Sequence, residues 1–260
     1  MRILLTNDDG IHAKGLWHLA EALEGLGDLY IVAPDRDMSG VGTAMTLLSV
    51  LRVDALTSLV DGAEVLGVQG TPSDCVILAT ESLFDDPFDL LVSGINPGAN
   101  IGLDVFSSGT VGAALQGYYR KIPSIAISAT YTNGRPVRYD PAKQVGRALA
   151  SHILTNYPKD PLLLNINLPD VDSHEIDGVE LTTLGPKAYV STVEREEVGR
   201  RSHYWIRHHG VSKDEPPEGT DVWAIRRGRI SITPINSMFS DQVDLAQITD
   251  LGGVVKSTIE

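Results

Sequence analysis

The chain has 260 residues, of which 42% are hydrophobic and 21% charged, as is usual for a globular protein with one large domain or a domain and a smaller appendage. Its 34 acidic and 21 basic side chains give a formal charge of −13, which disfavours attraction to nucleic acid polymers and to anionic membranes. No apolar run reaches the roughly 20 residues of a membrane span, no secretory signal is recognised, and the single cysteine, Cys75, cannot form an intrachain disulfide. We therefore expect a cytoplasmic protein that binds neither membranes nor nucleic acid polymers.

The first two thirds of the chain alternate between strand-like and helix-like segments. Short apolar runs predict strands at 2–6, 29–33, 89–93, 124–128 and 162–165, and apolar residues at helical spacing predict helices at 16–26, 73–83, 110–119 and 140–156. Such alternation is typical of a doubly wound, largely parallel α/β sheet. In these sheets, ligands bind beyond the carboxyl ends of the strands.

The pattern changes near Gly185. Residues 187–235 show no clear helical periodicity and are predicted to form β-hairpins in a smaller antiparallel part, and 238–251 are predicted to form a short C-terminal helix. We therefore predict a core over residues 1–184 and a hairpin-bearing appendage over 185–260.

Two adjacent carboxylates, Asp8 and Asp9, follow the first predicted strand in the sequence NDDG. Two negative charges this close resist joint ionisation unless a cation lies between them. Oxygen ligands of this kind suit Mg²⁺ or Mn²⁺. For an isolated Asp-Asp-Gly the alternative is a turn or a helix cap.

Two further oxygen donors follow other predicted strands. Ser39, in the segment PDRDMSG, offers a neutral hydroxyl that could complete a metal shell; the alternative is an ordinary surface loop. Asn96 could offer its amide oxygen to a metal or its amide nitrogen to a phosphoryl oxygen, and the alternative is a turn set by Pro97 and Gly98.

The segment SSGTVG, residues 107–112, begins a predicted helix with small and hydroxylated residues. Unpaired N–H groups and the helix dipole at such a terminus attract anions, so the segment predicts a phosphate site that needs no lysine. Capping by Ser108 or Thr110 is the alternative, and it is compatible with phosphate binding.

The histidines and Cys75 do not extend this site. None of the seven histidines has the spacing of a metal ligand set, and His208 and His209 are neighbours in a predicted strand, so they should point to opposite faces. Cys75 has no evident base partner and is expected to be a small buried residue.

The order of the motifs is more informative than any one of them. The chain reads MRILLTNDDGI, APDRDMSG, GTPSDCV, SGINPGANIG, SGTVGAA and NINLP, followed later by EGTDVWAI and ISITPI. In this order the motifs closely resemble those of the SurE family of survival-protein phosphatases.

The resemblance implies a Rossmann-like core and a hairpin-bearing C-terminal part that builds homodimers or homotetramers. It also implies a phosphatase acting on nucleoside 5′-monophosphates, with some activity on 3′-nucleotides and other phosphate monoesters. One divalent metal per subunit, Mg²⁺ or Mn²⁺, would be held by Asp8, Asp9, Ser39 and Asn96. Phosphate would be bound by Asn96, Ser108, Gly109 and Thr110, and the catalytic residues would be Asp8, Asp9 and Asn96.

The expected chemistry is metal-assisted phosphoryl transfer, with either water or an Asp side chain as the nucleophile. Two other classes are considered. A non-enzymatic phospho-receiver would need an acceptor Asp after the third strand, where this chain has LVSGINP. A nucleotide-binding regulatory protein or oxidoreductase is disfavoured because no dinucleotide-binding glycine fingerprint follows the first strand.

Overall fold

In a computed structural model, the described residues are 1–132, 135–156, 162–198, 201–211 and 214–235. The strands are β1 (Arg2–Thr6), β2 (Asp28–Pro34), β3 (Val53–Leu56), β4 (Glu64–Val68), β5 (Leu90–Pro97), β6 (Ser124–Ala129), β7 (Leu163–Leu168), β8 (Val179–Leu181), β9 (Tyr189–Val198), β10 (Arg201–Val211) and β11 (Ile230–Pro234). The α-helices are α1 (Lys14–Leu23), α2 (Pro72–Leu78), α3 (Gly109–Tyr119), α4 (Tyr139–Thr155) and α5 (Asp221–Arg226). Within these ranges no helix combines the length and apolarity of a membrane span.

Nine strands form one sheet in the order β3-β4-β2-β1-β5-β6-β7-β11-β8. The strands from β4 to β7 in this order are all parallel, while β3 and β11 pair antiparallel with β4 and β7. The chain leaves β1 toward β2 on one side and returns to β5 on the other, so the strand order reverses beside β1. In a doubly wound sheet this reversal is where a ligand-binding crevice opens.

The helices cover both faces of the sheet. Apolar side chains of α1 and α4 pack in one core cluster, and those of α2 and α3 pack in a second cluster on the opposite face. Strand β1 is buried on both sides, with Ile3 and Leu5 in the first cluster and Leu4 in the second. The predicted α/β fold with helices on both faces is therefore confirmed, and the burial of β1 on both faces explains its largely apolar sequence.

Capping explains where two helices begin. Thr71 and Asp74 form a reciprocal capping box at the start of α2, with Pro72 in the first turn. Ser108 caps α3, its hydroxyl accepting a hydrogen bond from the Val111 N–H at 3.2 Å. The helix predicted over 73–83 continues beyond α2 only as a π-helical turn, Ala79–Leu83.

The C-terminal part agrees with the sequence prediction only in its hairpin. Strands β9 and β10 form a separate antiparallel pair, as expected. The prediction of no helix within 187–235 is wrong, because α5 forms there behind the Thr220 cap, in a segment too short to show helical periodicity. Strand β11 joins the large sheet beside β7, and the helix predicted over 238–251 lies outside the described residues.

Candidate metal and phosphate site

The predicted ligands follow three neighbouring strands of the sheet. Asp8 and Asp9 follow β1, Ser39 follows β2, and Asn96 is the last residue but one of β5. Thr6 pairs with Ser93 in the register between β1 and β5, so these strand ends lie at the same edge of the sheet. The predicted residues therefore converge where the strand order reverses.

Asp8 is held by the beginning of α3. The Thr110 hydroxyl donates a hydrogen bond to Asp8 Oδ1 at 2.5 Å, and the Thr110 main chain also contributes a hydrogen bond to this carboxylate. Asp8 is only 3% exposed, and its burial raises the pKa of the carboxyl, which the bonds from Thr110 oppose. The start of α3 thus favours the anionic form of Asp8.

The Asp9 carboxylate has fewer stabilising hydrogen bonds than that of Asp8. Its Oδ2 atom is buried and has no hydrogen-bond partner among the residues that the structure describes. Burial, and then the charges of Asp8 and Asp37, raise the pKa of Asp9 to about 7. A carboxylate in this position lacks the compensation that an anion needs.

The loop after β2 brings Ser39 to the Asp pair. The Met38 N–H donates to the main-chain oxygen of Asp8 at 2.7 Å, and Gly10, with φ of +98°, allows the two loops to touch. A Cβ at Gly10 would lie 2.9 Å from the main-chain carbon of Arg36, so a larger residue would push the loops apart. The Ser39 hydroxyl is exposed and donates to Asp37 Oδ1 at 2.6 Å, which leaves its lone pairs free to accept or ligate.

Asn96 is oriented by a bond within its own turn. Its Nδ2 donates to the main-chain oxygen of Gly98 at 2.7 Å. Within the described chain, no group donates to its Oδ1 atom, so this oxygen remains available to a cation.

Three of the four residues predicted to bind phosphate lie at the start of α3. Ser108 is its cap, Gly109 is its first residue, and Thr110 is bonded to Asp8. Gly109 lies so close to Asp8 that an added Cβ would be 2.7 Å from Asp8 Cβ. The predicted metal site and the predicted phosphate site are therefore in direct contact.

The donor set fits a divalent cation. Asp8 and Asp9 form no salt bridge with any described Lys, Arg or His, both have a raised pKa, and Asp9 Oδ2 is an unpaired buried oxygen. A hard dication would satisfy this oxygen and favour ionisation of both carboxylates.

Asp37 was not predicted as a site residue. Its carboxylate binds both the main-chain N–H and the hydroxyl of Ser39, and its charge raises the pKa of Asp8 and of Asp9. Its position could have indicated this role, since Asp37 lies only two residues before the predicted ligand Ser39, in the same loop.

A second acidic cluster lies in the segment that follows β7. Asp172, His174 and Glu175 are exposed and close enough together to share an ion. Asp172 and Glu175 cap a short 3₁₀ turn reciprocally, which accounts for their proximity without a ligand. The side chains of His208 and His209, predicted to point to opposite faces, lie outside the described part.

The raised pKa of Asp9 predicts a pH-dependent stability. A carboxyl whose pKa is 3.8 unfolded and about 7 folded binds its proton more tightly in the folded state, so its contribution to the unfolding free energy falls as pH rises from about 4 to about 7. In metal-free protein we expect Asp9→Asn to become more stable relative to the unsubstituted chain over this range, by up to about 4 kcal/mol. Urea denaturation of metal-free protein at pH 4, 5, 6 and 7 measures this difference. A difference that is constant with pH would contradict it.

The fold and this strand-end site define the chain as an α/β protein with an adjacent pair of carboxylates joined to a helix N-terminus. The family described as survival protein SurE matches residues 3–191, and the chain belongs to this family.

Curated relatives and a solved structure support the assignment. Proteins named 5′-nucleotidase SurE are 42% identical in Dehalococcoides mccartyi, over 99% of this chain and 97% of that protein, and 41% identical in Geobacter sulfurreducens, over 95% and 92%. A crystal structure of the SurE protein from Aquifex aeolicus has a TM-score of 0.78 and 32% identity, covering 98% of this chain and 100% of that one. The predicted resemblance is thereby confirmed.

Proposed function

We propose that this chain is a divalent-metal-dependent 5′-nucleotidase. It would hydrolyse nucleoside 5′-monophosphates to nucleoside and phosphate, and would also accept 3′-nucleotides and other phosphate monoesters. The main structural support is the bond between Thr110 and Asp8, which joins the predicted metal pair to the predicted phosphate cradle. The names of the curated relatives support the same reaction class.

Asp8, Asp9, Ser39 and Asn96 would hold one Mg²⁺ or Mn²⁺. When bound, such an ion polarises phosphoryl oxygens and lowers the pKa of water. Asp8 and Asp9 would supply the negative charge, and Ser39 and Asn96 would supply neutral oxygens.

The protein's own groups would orient the phosphoryl group. The N–H of Gly109 has no acceptor among the described residues, and together with the Ser108 hydroxyl it would bind phosphoryl oxygens at the positive end of the α3 dipole. The Asn96 amide lies on β5, the strand that pairs with β1. Hydrolysis forms a bond between phosphorus and the oxygen of water and breaks the ester bond to the nucleoside, and these fixed donors would stabilise the charge that develops.

Metal removal and return test this proposal. Dialysis against EDTA should lower hydrolysis of a panel of 5′- and 3′-nucleotides to a few per cent or less, and Mn²⁺ or Mg²⁺ should restore it, because the unpaired Oδ2 atom of Asp9 needs a cation. Phosphate release is the measurement, and mock-dialysed protein is the control. Full turnover in EDTA would reject metal dependence, and turnover of aryl phosphates but of no nucleotide would reject the substrate class.

The assembly and location follow as further proposals. Strands β9 and β10 pair only with each other within the described chain and expose Val193, Tyr204 and Ile206. A two-stranded ribbon is marginally stable alone, so this apolar surface supports a homodimer or homotetramer. This oligomerising part would begin at residue 185. We also propose a cytoplasmic location, with which the buried free Cys75 is consistent, because thiols stay reduced there.

A further inference from the structure

One connection carries both halves of the proposed phosphate site. It begins at Asn96, on β5, and ends at Ser108, Gly109 and Thr110, at the start of α3. Between them the chain forms a turn at Gly98 and a 3₁₀ segment, Gly102–Ser107. The relative position of Asn96 and the cradle therefore depends on what fixes this connection.

Asn96 is paired with β6, and the Gly98 N–H donates to the main chain of β6 at 2.9 Å; the next fixed point along the connection is Asn100. Its main-chain N–H donates to Asn167 Oδ1 at 2.8 Å, and its main-chain oxygen accepts from Asn167 Nδ2 at 3.0 Å and from Asn165 Nδ2 at 2.7 Å. Its own side chain donates to the Ser128 hydroxyl at 2.9 Å. The main-chain N–H, the main-chain oxygen and the side-chain amide of Asn100 are thus all hydrogen-bonded, and these bonds hold its main chain in place.

Asn167 has a different role from that of an ordinary buried asparagine. It lies on β7, is fully buried, and uses both its donor and its acceptor on the main chain of Asn100, as a neighbouring strand would. Such bonds in a buried site are costly to break, because the partner groups cannot turn to water.

The rest of the connection is held from the C-terminal part. The buried carboxylate of Asp221 accepts from the N–H groups of Gly102 and Gly185 at 2.8 and 2.7 Å. The Asp104 carboxylate accepts from the N–H groups of Ala188 and Tyr189. These bonds fix residues 102–104 of the connection, and Asn167 holds the part that lies between them and Gly98.

We propose that Asn167 is a positioning residue of the phosphate site. By holding the main chain of Asn100, it sets Asn96 and the start of α3 at the separation that one phosphoryl group requires. This inference rests on the proposed function, because it assigns Asn167 to the same site. Asn167 touches no reacting atom and acts through the connection.

The test uses the full-length chain with two substitutions of matched size and burial. Asn167→Leu removes both bonds to Asn100. Thr233→Val is the control. Thr233 is 1% exposed and lies on β11 opposite Asn165, and among the described residues its hydroxyl bonds only to the hydroxyls of Thr182 and Ser231. Both variants lose buried hydrogen bonds in the same sheet, but only the first loses bonds to the connection, which Asn165 and Ser128 continue to hold at Asn100.

Three quantities are measured for each protein. They are binding of inorganic phosphate by calorimetry in Mn²⁺, turnover of a nucleoside monophosphate, and amide hydrogen exchange of residues 98–108. We expect Asn167→Leu to weaken phosphate binding at least tenfold, to lower kcat about 10²-fold and to speed exchange of these amides, since a small misplacement of binding groups has effects of this size. Thr233→Val should stay within about threefold of the unsubstituted chain in both binding and kcat.

A conservative variant separates positioning from loss of stability. In Asn167→Asp the carboxyl keeps an acceptor for the Asn100 N–H and, while protonated, a donor for its oxygen. We expect it to retain more phosphate binding than Asn167→Leu, with its binding relative to the unsubstituted chain falling as pH rises. It also replaces Asn167→Leu as the test if the leucine variant does not fold.

The outcomes are distinct. Equal losses in Asn167→Leu and Thr233→Val, or unchanged phosphate binding and kcat in Asn167→Leu, would overturn the positioning role. An unsubstituted chain that binds phosphate but turns over no nucleotide would reject the proposed function alone, and loss of that binding in Asn167→Leu would still support positioning. An unsubstituted chain that does not bind phosphate would overturn both.

Discussion

Asp9→Asn is expected to lower metal-dependent hydrolysis of nucleoside monophosphates by about 10³-fold or more. The substitution keeps the shape of the side chain but replaces an anionic oxygen with a neutral one, beside an Oδ2 atom that has no partner among the described residues. Loss of one hard anionic ligand removes several kcal/mol of stabilisation from a cation site, and each 1.4 kcal/mol corresponds to a factor of ten in rate. Steady-state kinetics measures turnover and calorimetry measures Mn²⁺ affinity. We expect both quantities to be lower in Asp9→Asn.

The matched control is Asp172→Asn. It makes the same chemical change in the exposed cluster with His174 and Glu175. Because that cluster is explained by capping, both metal binding and turnover should stay within about twofold. If Asp172→Asn removed activity and Asp9→Asn did not, the metal site would have to be moved from the strand ends to this cluster.

Gly109→Ala is expected to lower turnover by about 10²-fold although it adds only one methyl group. The added Cβ would lie 2.7 Å from Asp8 Cβ and 2.9 Å from Asp8 Oδ2, so either Asp8 or the start of α3 must move. Alanine is the better helix former, so the loss would not come from helix propensity. A displacement of this size between binding groups is enough to produce such a loss.

Gly146→Ala provides the comparison. Gly146 lies within α4, and a Cβ there would meet Leu19 Cδ1 at 3.0 Å and Ile127 Cδ1 at 3.5 Å, which are apolar atoms remote from the Asp pair. Both substitutions crowd a buried helix position, so thermal denaturation should show comparable destabilisation, of about 1–3 kcal/mol. Turnover measured well below both melting temperatures should fall only in Gly109→Ala. Full activity in that variant would show that the contact of Gly109 with Asp8 does not matter for the reaction.

Periodicity predicted the strands and helices that build the site, because each is apolar in a regular pattern. The predicted helix over 110–119 differs from α3 by one residue at its start, and the predicted strand over 124–128 differs from β6 by one residue at its end. The helix α5 was missed because it has only six residues, too few for a helical period to appear. Strand β11 lies in the segment predicted to form hairpins, but its pairing with β7 in the large sheet was not predicted.

The sequence by itself determined the family, the α/β class and the segments that could ligate a cation or bind phosphate, because local composition and motif order record these. Only the tertiary structure decided how those segments meet. Thr110 bonds to Asp8 across 102 residues of sequence, and Asn167 bonds to Asn100 across 67. No local period encodes such a pair, since its geometry is set by the strand order and by the packing of α3 on the sheet. The Asp pair was therefore predictable as a pair, whereas its support by a helix N-terminus was not.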